Sequence, residues 1–262
     1  MEKPKWVIER EQAKKVASQE TVWLFGIHAV NDALVNPARE KIQLVATRNA
    51  TAKLAGAITQ SGVKPQICEP RKFLAPLDPG SVHQGAALEV KVLNWGTLDD
   101  HALATSTGPP RLVLLDQVSD PHNVGAILRS AEVFGANAVI GTQRHSAPET
   151  GSLAKSASGA LERQPYLRLR NLAQTILDLQ NMGYFVLGLD GTAQVTIEQA
   201  MEGHFDKPTA LVFGAEGPGL RERTKKTVDK LVRIGSTDEF GSLNVSNAAA
   251  VALYATRQAS RR

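Results

Sequence analysis

Five short apolar runs dominate the second half of this chain: "RLVLLD" at 111–116, "ANAVIG" at 136–141, "YFVLGLD" at 184–190, "ALVFG" at 210–214 and "LVRIG" at 231–235. Each is too short for a buried helix and is bounded by Gly, Asp or Arg, which reads as a strand apolar on both faces. Such strands must be covered on both sides, and windows with helical spacing at 123–134 and 171–182 lie between them. The expectation is an α/β domain, a parallel sheet with helices on both faces. Ligands on these sheets bind beyond the carboxyl ends of the strands, so the loops that follow the runs are where function is sought.

Upstream, the pattern is different. The stretch "NWGTLDDHALATSTGPP", 94–110, is polar and ends on Gly-Pro-Pro, the composition of a linker. Before it, 21–93 reads as a small α/β unit. The spacing predicts a helix through "VWLFGIHAVNDALVN" with Ile27, Val30, Ala33 and Leu34 on one face. It then predicts a strand at "IQLVAT", a helix over "AKLAGAITQSG", and strands at "KPQICE" and "ALEVKVL". Residues 1–20 mix Lys, Arg and Glu without an apolar stripe and are read as a flexible charged tail. The expected organisation is therefore tail 1–20, small domain 21–93, linker 94–110 and main domain 111–262.

Thirty Lys and Arg against 26 Asp and Glu give a net charge of +4, a mild bias that a polyanionic partner accepts but does not require. The single cysteine, Cys68, allows no intramolecular disulfide and suits a reducing compartment. The charged N-terminus is no secretory signal and no run is long enough to span a bilayer, so a soluble cytoplasmic protein is expected. The six histidines show no ligand spacing, and no metal is expected.

Three loops carry chemistry. In "LLDQVSDPHNVGAILRSAEVFG" a strand ends at Asp116 and a helix begins near Asn123, with Val124, Ile127, Leu128, Ala131 and Phe134 on one face. Arg129 falls opposite that stripe and leans back toward the loop. Gly125 and Ala126 leave the turn bare for a ligand, and the helix start favours an anion. An exposed Arg beside an Asn cap is the other reading. The second loop, "LVFGAEGPGLRE", places Gly214, Gly217 and Gly219 around Glu216. Its G-x-x-G-x-G order is the reverse of a dinucleotide fingerprint, and no Gly-Lys-Ser/Thr makes it a P-loop. Glu216 either holds a substrate or a neighbouring loop, or is a solvated turn residue. In the third, "EFGSLNVSNAAAVA", Ser246 or Asn247 is expected to cap a helix with Ala248, Val251, Ala252 and Ala255 on one face. Capping needs only one of Ser242, Asn244, Ser246 and Asn247 and leaves the others without a structural reason.

In this order and spacing the loops resemble the SpoU (TrmH-type) branch of the SPOUT RNA methyltransferases: "NVGAILRSA", "VFGAEGPGL" and "GSLNVSNAAA" are similar to its three motifs. Further upstream, "LFGIHAVNDAL" and "HQGAALEV" resemble the start and end of the ribosomal-protein-like substrate-binding domain often attached to these enzymes. "RHSAPETGSLAKSASGALERQPYLR" is similar to the joining stretch of enzymes acting on large-subunit rRNA. The resemblance implies a trefoil-knotted catalytic domain, a homodimer, and S-adenosylmethionine held by Gly214, Gly219, Ile234, Leu243 and Leu189. It also implies methyl transfer to a ribose 2′-hydroxyl, with a guanosine of 23S rRNA as the expected target. A tRNA enzyme and a non-catalytic RNA-binding protein are the alternatives.

Arg129 matches the family's arginine beside the reacting hydroxyl. A guanidinium is a poor base, so it is read as a clamp on the target phosphate and ribose. Asn123 and Glu216 would fix Arg129 and the loops, and Ser242 and Asn244 would line the cavity where hydroxyl and methyl meet. Arg144, Lys155, Arg163 and Arg168, with Arg170, are candidate contacts to the RNA backbone. One departure stands out: Gly235 follows Ile234 where the family usually has Pro, which implies a more mobile cofactor loop.

Overall fold

In a computed structural model, the structure describes residues 21–103, 108–204, 206–235 and 243–259. The chain divides into two units, one reaching to Asn94 and including Glu149–Lys155, the other made of Trp95–Pro148 and the chain from Ser156 onward. The expected tail, 1–20, lies outside the described residues.

The first unit carries β1 (Thr21–Phe25), α1 (Ile27–Val35), β2 (Lys41–Thr47), α2 (Arg48–Lys53), α3 (Ala55–Ser61), β3 (Pro65–Cys68) and β4 (Ala86–Lys91). Its sheet has the order β1-β4-β2-β3, antiparallel except for the β2–β3 pair. Two expectations fail here. The helix read from Val22 starts only at Ile27: "TVWLF" is a strand whose Trp23 lies opposite Glu89, and Gly26, at φ 92°, turns the chain into α1. An apolar run of four has no period of its own, so β4 decides its form. The helix over 52–62 is also two short ones, broken at Leu54.

The second unit carries α4 (Asp99–Ala102), β5 (Arg111–Asp116), α5 (Pro121–Phe134), β6 (Ala138–Thr142), α6 (Gly151–Ala157, whose first residues belong to the first unit), β7 (Tyr166–Leu169), α7 (Leu172–Asn181), β8 (Phe185–Leu189), α8 (Ile197–Met201), β9 (Thr209–Gly214), α9 (Glu222–Thr227), β10 (Lys230–Val232) and α10 (Val245–Ala259). The sheet is parallel throughout, in the order β10-β8-β9-β5-β6-β7. Alternate residues serve its two faces. Leu112, Leu114, Ile140, Val186 and Val212 pack with Ile176 and Leu179 of α7, while α5 and α10 pack against each other. Strand β7, inside the joining stretch, was not foreseen: its "YLRL" puts two arginine-flanked leucines on an edge, too short a signal to read alone. Trp95, Leu98 and Ala102, within the stretch read as a linker, pack on this unit's core.

Candidate active site

The strands of the second unit all point their carboxyl ends to one edge of the sheet, and three sequence motifs meet there. After β5 the side chain of Asp120 caps α5 by accepting from the His122 N–H at 3.0 Å, with Pro121 in the first turn. The cap is thus Asp120, not an asparagine, which frees Asn123 for another role. Asn123 is buried and its Nδ2 donates to Glu216 Oε1 at 3.1 Å. Its Oδ1 accepts from Asn244 Nδ2 at 3.0 Å, and the same Asn244 nitrogen donates to Glu216 Oε1. One residue from each loop therefore closes a three-membered polar cluster. Each partner came from a different motif, 93 or more residues from Asn123 in sequence.

The other end of Asn244 is equally occupied. Its Oδ1 accepts from the backbone N–H of Ser246 at 2.9 Å and of Asn247 at 3.4 Å. Three donors, the Ser246 hydroxyl included, converge on Oδ1, so the nitrogen must be the atom facing Glu216 and Asn123. Asn244 is therefore the cap of α10, in place of the expected Ser246 or Asn247. The buried face of α10 is also rotated from the expected one: Val245, Ala249, Ala252, Leu253 and Thr256 are buried, and Val251 is exposed.

A salt bridge that was not anticipated braces the cluster. Asp116, fully buried at the end of β5, accepts from Arg221 Nε at 2.6 Å and from the Arg221 backbone N–H at 3.0 Å. Asp116 lies opposite Gly214 in the β5–β9 register, so this pair pins the far end of the glycine loop to the strand that launches α5. Its sequence signal was a buried strand ending in a carboxylate. Gly214 owes its identity to the loop's own return: a Cβ there would overlap the backbone of Gly219 and Leu220, and the Gly219 N–H closes the turn on Ala215 O at 2.9 Å. Gly125 is likewise structural. An added Cβ would sit 2.6 Å from Ser156 Cβ and 2.8 Å from Ala157 N, so the space read as open to a ligand is filled by α6.

Beside the cluster lies a recess of about 180 Å³, lined by Gln117, Val118, Ser119, Asp120, Asn123, Ala215, Glu216 and Val245. Gln117 holds a left-handed backbone at φ 63°, a conformation that is costly for a residue with a side chain and recurs at functional turns. The residues assigned to the cofactor align along the same edge: Leu189 ends β8, Gly214 ends β9, and Ile234 follows β10, three strands adjacent in the sheet. All three are half-buried, as is Gly219, whereas Leu243 is exposed. Ser242 lies outside the described residues. Next to Leu189, Asp190 has its carboxyl held low, at about 2: partial burial pushes it up, but hydrogen bonds from Lys225 and Thr192 outweigh that.

Arg129 stands apart from the polar cluster. It is exposed on α5 and has no hydrogen bond or ion pair with a described residue. Asn123 and Glu216, expected to fix it, hold Asn244 instead. Of the candidate RNA contacts, Arg144 is exposed, Arg163 is paired with Glu132, and Arg168 donates to the Gln143 carbonyl. Lys155 lies over the Phe25 ring, 6.0 Å from its centroid, in the first unit. No group of three or more His, Cys, Asp or Glu able to hold a metal occurs among the described residues.

The SpoU rRNA Methylase family profile matches residues 110–254, more than half of the chain. The chain belongs to the SpoU rRNA methylase family. Similar proteins also align over 90% of the chain, and so over both units. A "23S rRNA (guanosine-2'-O-)-methyltransferase RlmB" of Ralstonia nicotianae is 39% identical, covering 90% of this chain and 96% of the relative. Its Escherichia coli K12 namesake is 38% identical over 90% and 98%. The solved SpoU methyltransferase AviRb of Streptomyces viridochromogenes, in complex with AdoMet, superposes with a TM-score of 0.76 at 20% identity over 92% and 91% of the two chains. The α/β expectation thus holds for this SpoU chain. The expected knot turns on the path of 236–242, which lie outside the described residues.

Proposed function

We propose that this protein transfers a methyl group from S-adenosylmethionine to the ribose 2′-hydroxyl of a guanosine in large-subunit rRNA, in the cytoplasm. The observation that carries the reading is the Asn123–Glu216–Asn244 cluster, because it ties one residue from each of the three motifs together at the sheet edge where ligands bind. The alignment of RlmB relatives over both units supports rRNA rather than tRNA as the substrate.

The site suits the cofactor. Leu189 and Ile234, half-buried at the ends of neighbouring strands, would offer apolar contact to an adenine at the edge where parallel sheets take ligands. When bound, S-adenosylmethionine supplies a methyl on a sulfonium that needs alignment more than activation. The chain's part is to orient the nucleophile, a contribution worth several kcal/mol, about 7 or more when the alignment is tight. Glu216 and Asn123 keep the first two loops at fixed separation, and Asn244 brings the third to them. No described residue engages the charge or the donors of Arg129, as a clamp on the target phosphate and ribose requires. The 2′-hydroxyl proton then passes to a phosphate oxygen or water. Dimer formation fits the exposed Val133, Val251 and Tyr254 on the packed pair α5 and α10.

The test is Arg129→Ala. Methyl transfer to rRNA should be lost while cofactor binding by calorimetry stays within about twofold of the parent. Near-normal transfer by this variant would overturn the assignment of Arg129.

A further inference from the structure

In the first unit, three strands end and a fourth begins along one edge of the sheet. β2 and β3 run parallel with Thr47 opposite Cys68, and β4 runs antiparallel to both β1 and β2. The chain leaving β2 starts with Arg48, the chain leaving β3 turns through Pro70–Lys72 into Phe73, and the chain entering β4 passes His83 and Gln84. These segments are tied together: Thr47 N–H donates to Gly85 O at 2.8 Å, and the Ile27 N–H donates to Gln84 Oε1 at 3.0 Å. Gln84 is held at φ 54° to make that reach.

Two features of this edge go beyond what its turns require. The rings of Phe73 and His83 stack with centroids 3.9 Å apart at 26°, and neither is buried. The Gly85 N–H donates to His83 Nδ1 at 3.1 Å, which leaves the Nε2 corner of a neutral ring as a donor. Along the same edge, Arg48, Arg71 and Lys72 are exposed and have no partner among the described residues; the acidic side chains of the loop after β3 are Glu69 and Asp78, both exposed. The opposite edge behaves differently. There Lys91 pairs with Glu40 at 3.0 Å, Lys41 donates to Asn36 O at 2.6 Å, and Arg39 pairs with Glu149.

We propose that the Phe73–His83 edge of the first unit grips an unpaired segment of the RNA substrate, a base extending the ring stack and phosphates meeting Arg48, Arg71 and Lys72. This rests on the reading of the chain as an RNA methyltransferase and says which part of the RNA the small unit selects. Unengaged cations are what a phosphate backbone recruits. An exposed ring stack adds nothing for a duplex, whose bases already stack on each other, but it takes up a base splayed from a loop or bulge.

The experiment uses the full chain with two fluorescent probes, a hairpin RNA with a wide unpaired loop and a fully paired duplex of equal length. Phe73→Ala should weaken hairpin binding about tenfold and leave duplex binding unchanged, with Phe73→Tyr restoring it. The triple variant Arg48→Gln, Arg71→Gln, Lys72→Gln should lower the log–log salt slope of hairpin binding by about 2. In methyl transfer to rRNA both should raise KM for RNA with kcat and cofactor affinity unchanged, the latter also reporting a folded catalytic unit. Unchanged hairpin affinity in both variants, or equal loss on hairpin and duplex, overturns the proposal. Loss of binding to ribosomal particles with intact hairpin affinity overturns it in favour of a protein partner. A parent protein that binds the hairpin yet transfers no methyl would sink the methyltransferase reading and leave this one standing.

Discussion

Substituting Asn244 separates two jobs that one side chain performs. Asn244→Ala removes the α10 cap, a loss of about 1 kcal/mol, and removes a charge-assisted hydrogen bond to Glu216 worth about 1.5–3 kcal/mol when fully shielded. Asn244 and Glu216 are exposed, so water replaces much of the second term, and about 1–2 kcal/mol of stability should be lost in all. That is a fall in Tm of roughly 2–8 °C for a domain of this size. Asn244→Ser keeps a capping oxygen but cannot also reach Glu216 and Asn123, so it should lose about 0–1 kcal/mol and its Tm should fall by no more than about 4 °C. Its methyl-transfer rate should nevertheless fall as far as that of the alanine variant, at least about tenfold, because the third loop is no longer tied to the other two. Asn244→Asp also caps, yet sets a carboxylate against Glu216, at a cost of about 1.4 kcal/mol or more for charges 3 Å apart even in water. Initial rates with labelled cofactor, run beside calorimetric melts, give both readouts. A serine variant with near-parental transfer would refute the claim that the inter-loop bonds position the site.

Gly125→Ala should destabilise the protein by about 1–3 kcal/mol, read by chemical denaturation, since its methyl collides with the backbone of Ser156 and Ala157; a neutral result would mean that α6 yields freely. Asp190 has a folded-state pKa of about 2, below its ordinary 3.8, so its contribution is complete above about pH 4 and is lost as the pH falls toward 2. Lys225→Met should therefore lower stability modestly above about pH 4, with the deficit shrinking as the pH falls toward 2, as denaturant unfolding followed by circular dichroism at several pH values will record. Gly235 is exposed with open space around it and no left-handed φ, so Gly235→Pro should tighten cofactor binding about two- to fivefold by stiffening the loop. Unchanged or weaker affinity in calorimetry would remove loop stiffness as the explanation.

The parallel sheet was legible because its strands are apolar on both faces, a pattern that leaves few other folds. Asn123, Glu216 and Asn244 were legible as polar residues beyond what turns and caps require. Their mutual bonds were not, because nothing in one sequence says which of Arg129 and Asn244 they hold. Gly125 was noticed for the right property, bareness, and assigned the wrong visitor: α6 fills the space beside it. The cap of α10 was misplaced by two or three residues because Asn244, Ser246 and Asn247 are all good caps, and only the tertiary partner of Asn244 discriminates among them. Strand β1 was read as helix because its form is imposed by β4, a partner more than sixty residues away.

Because Asn244 caps the last helix with the oxygen of the same amide whose nitrogen ties the three loops, the first turn of α10 and the assembled cluster form or fray together. The backbone amides of Ser246 and Asn247 are thus natural reporters. Their exchange with solvent deuterium measures how often the catalytic loops come apart, and a bound ligand that steadies those loops should slow exchange there before it changes anything in the sheet.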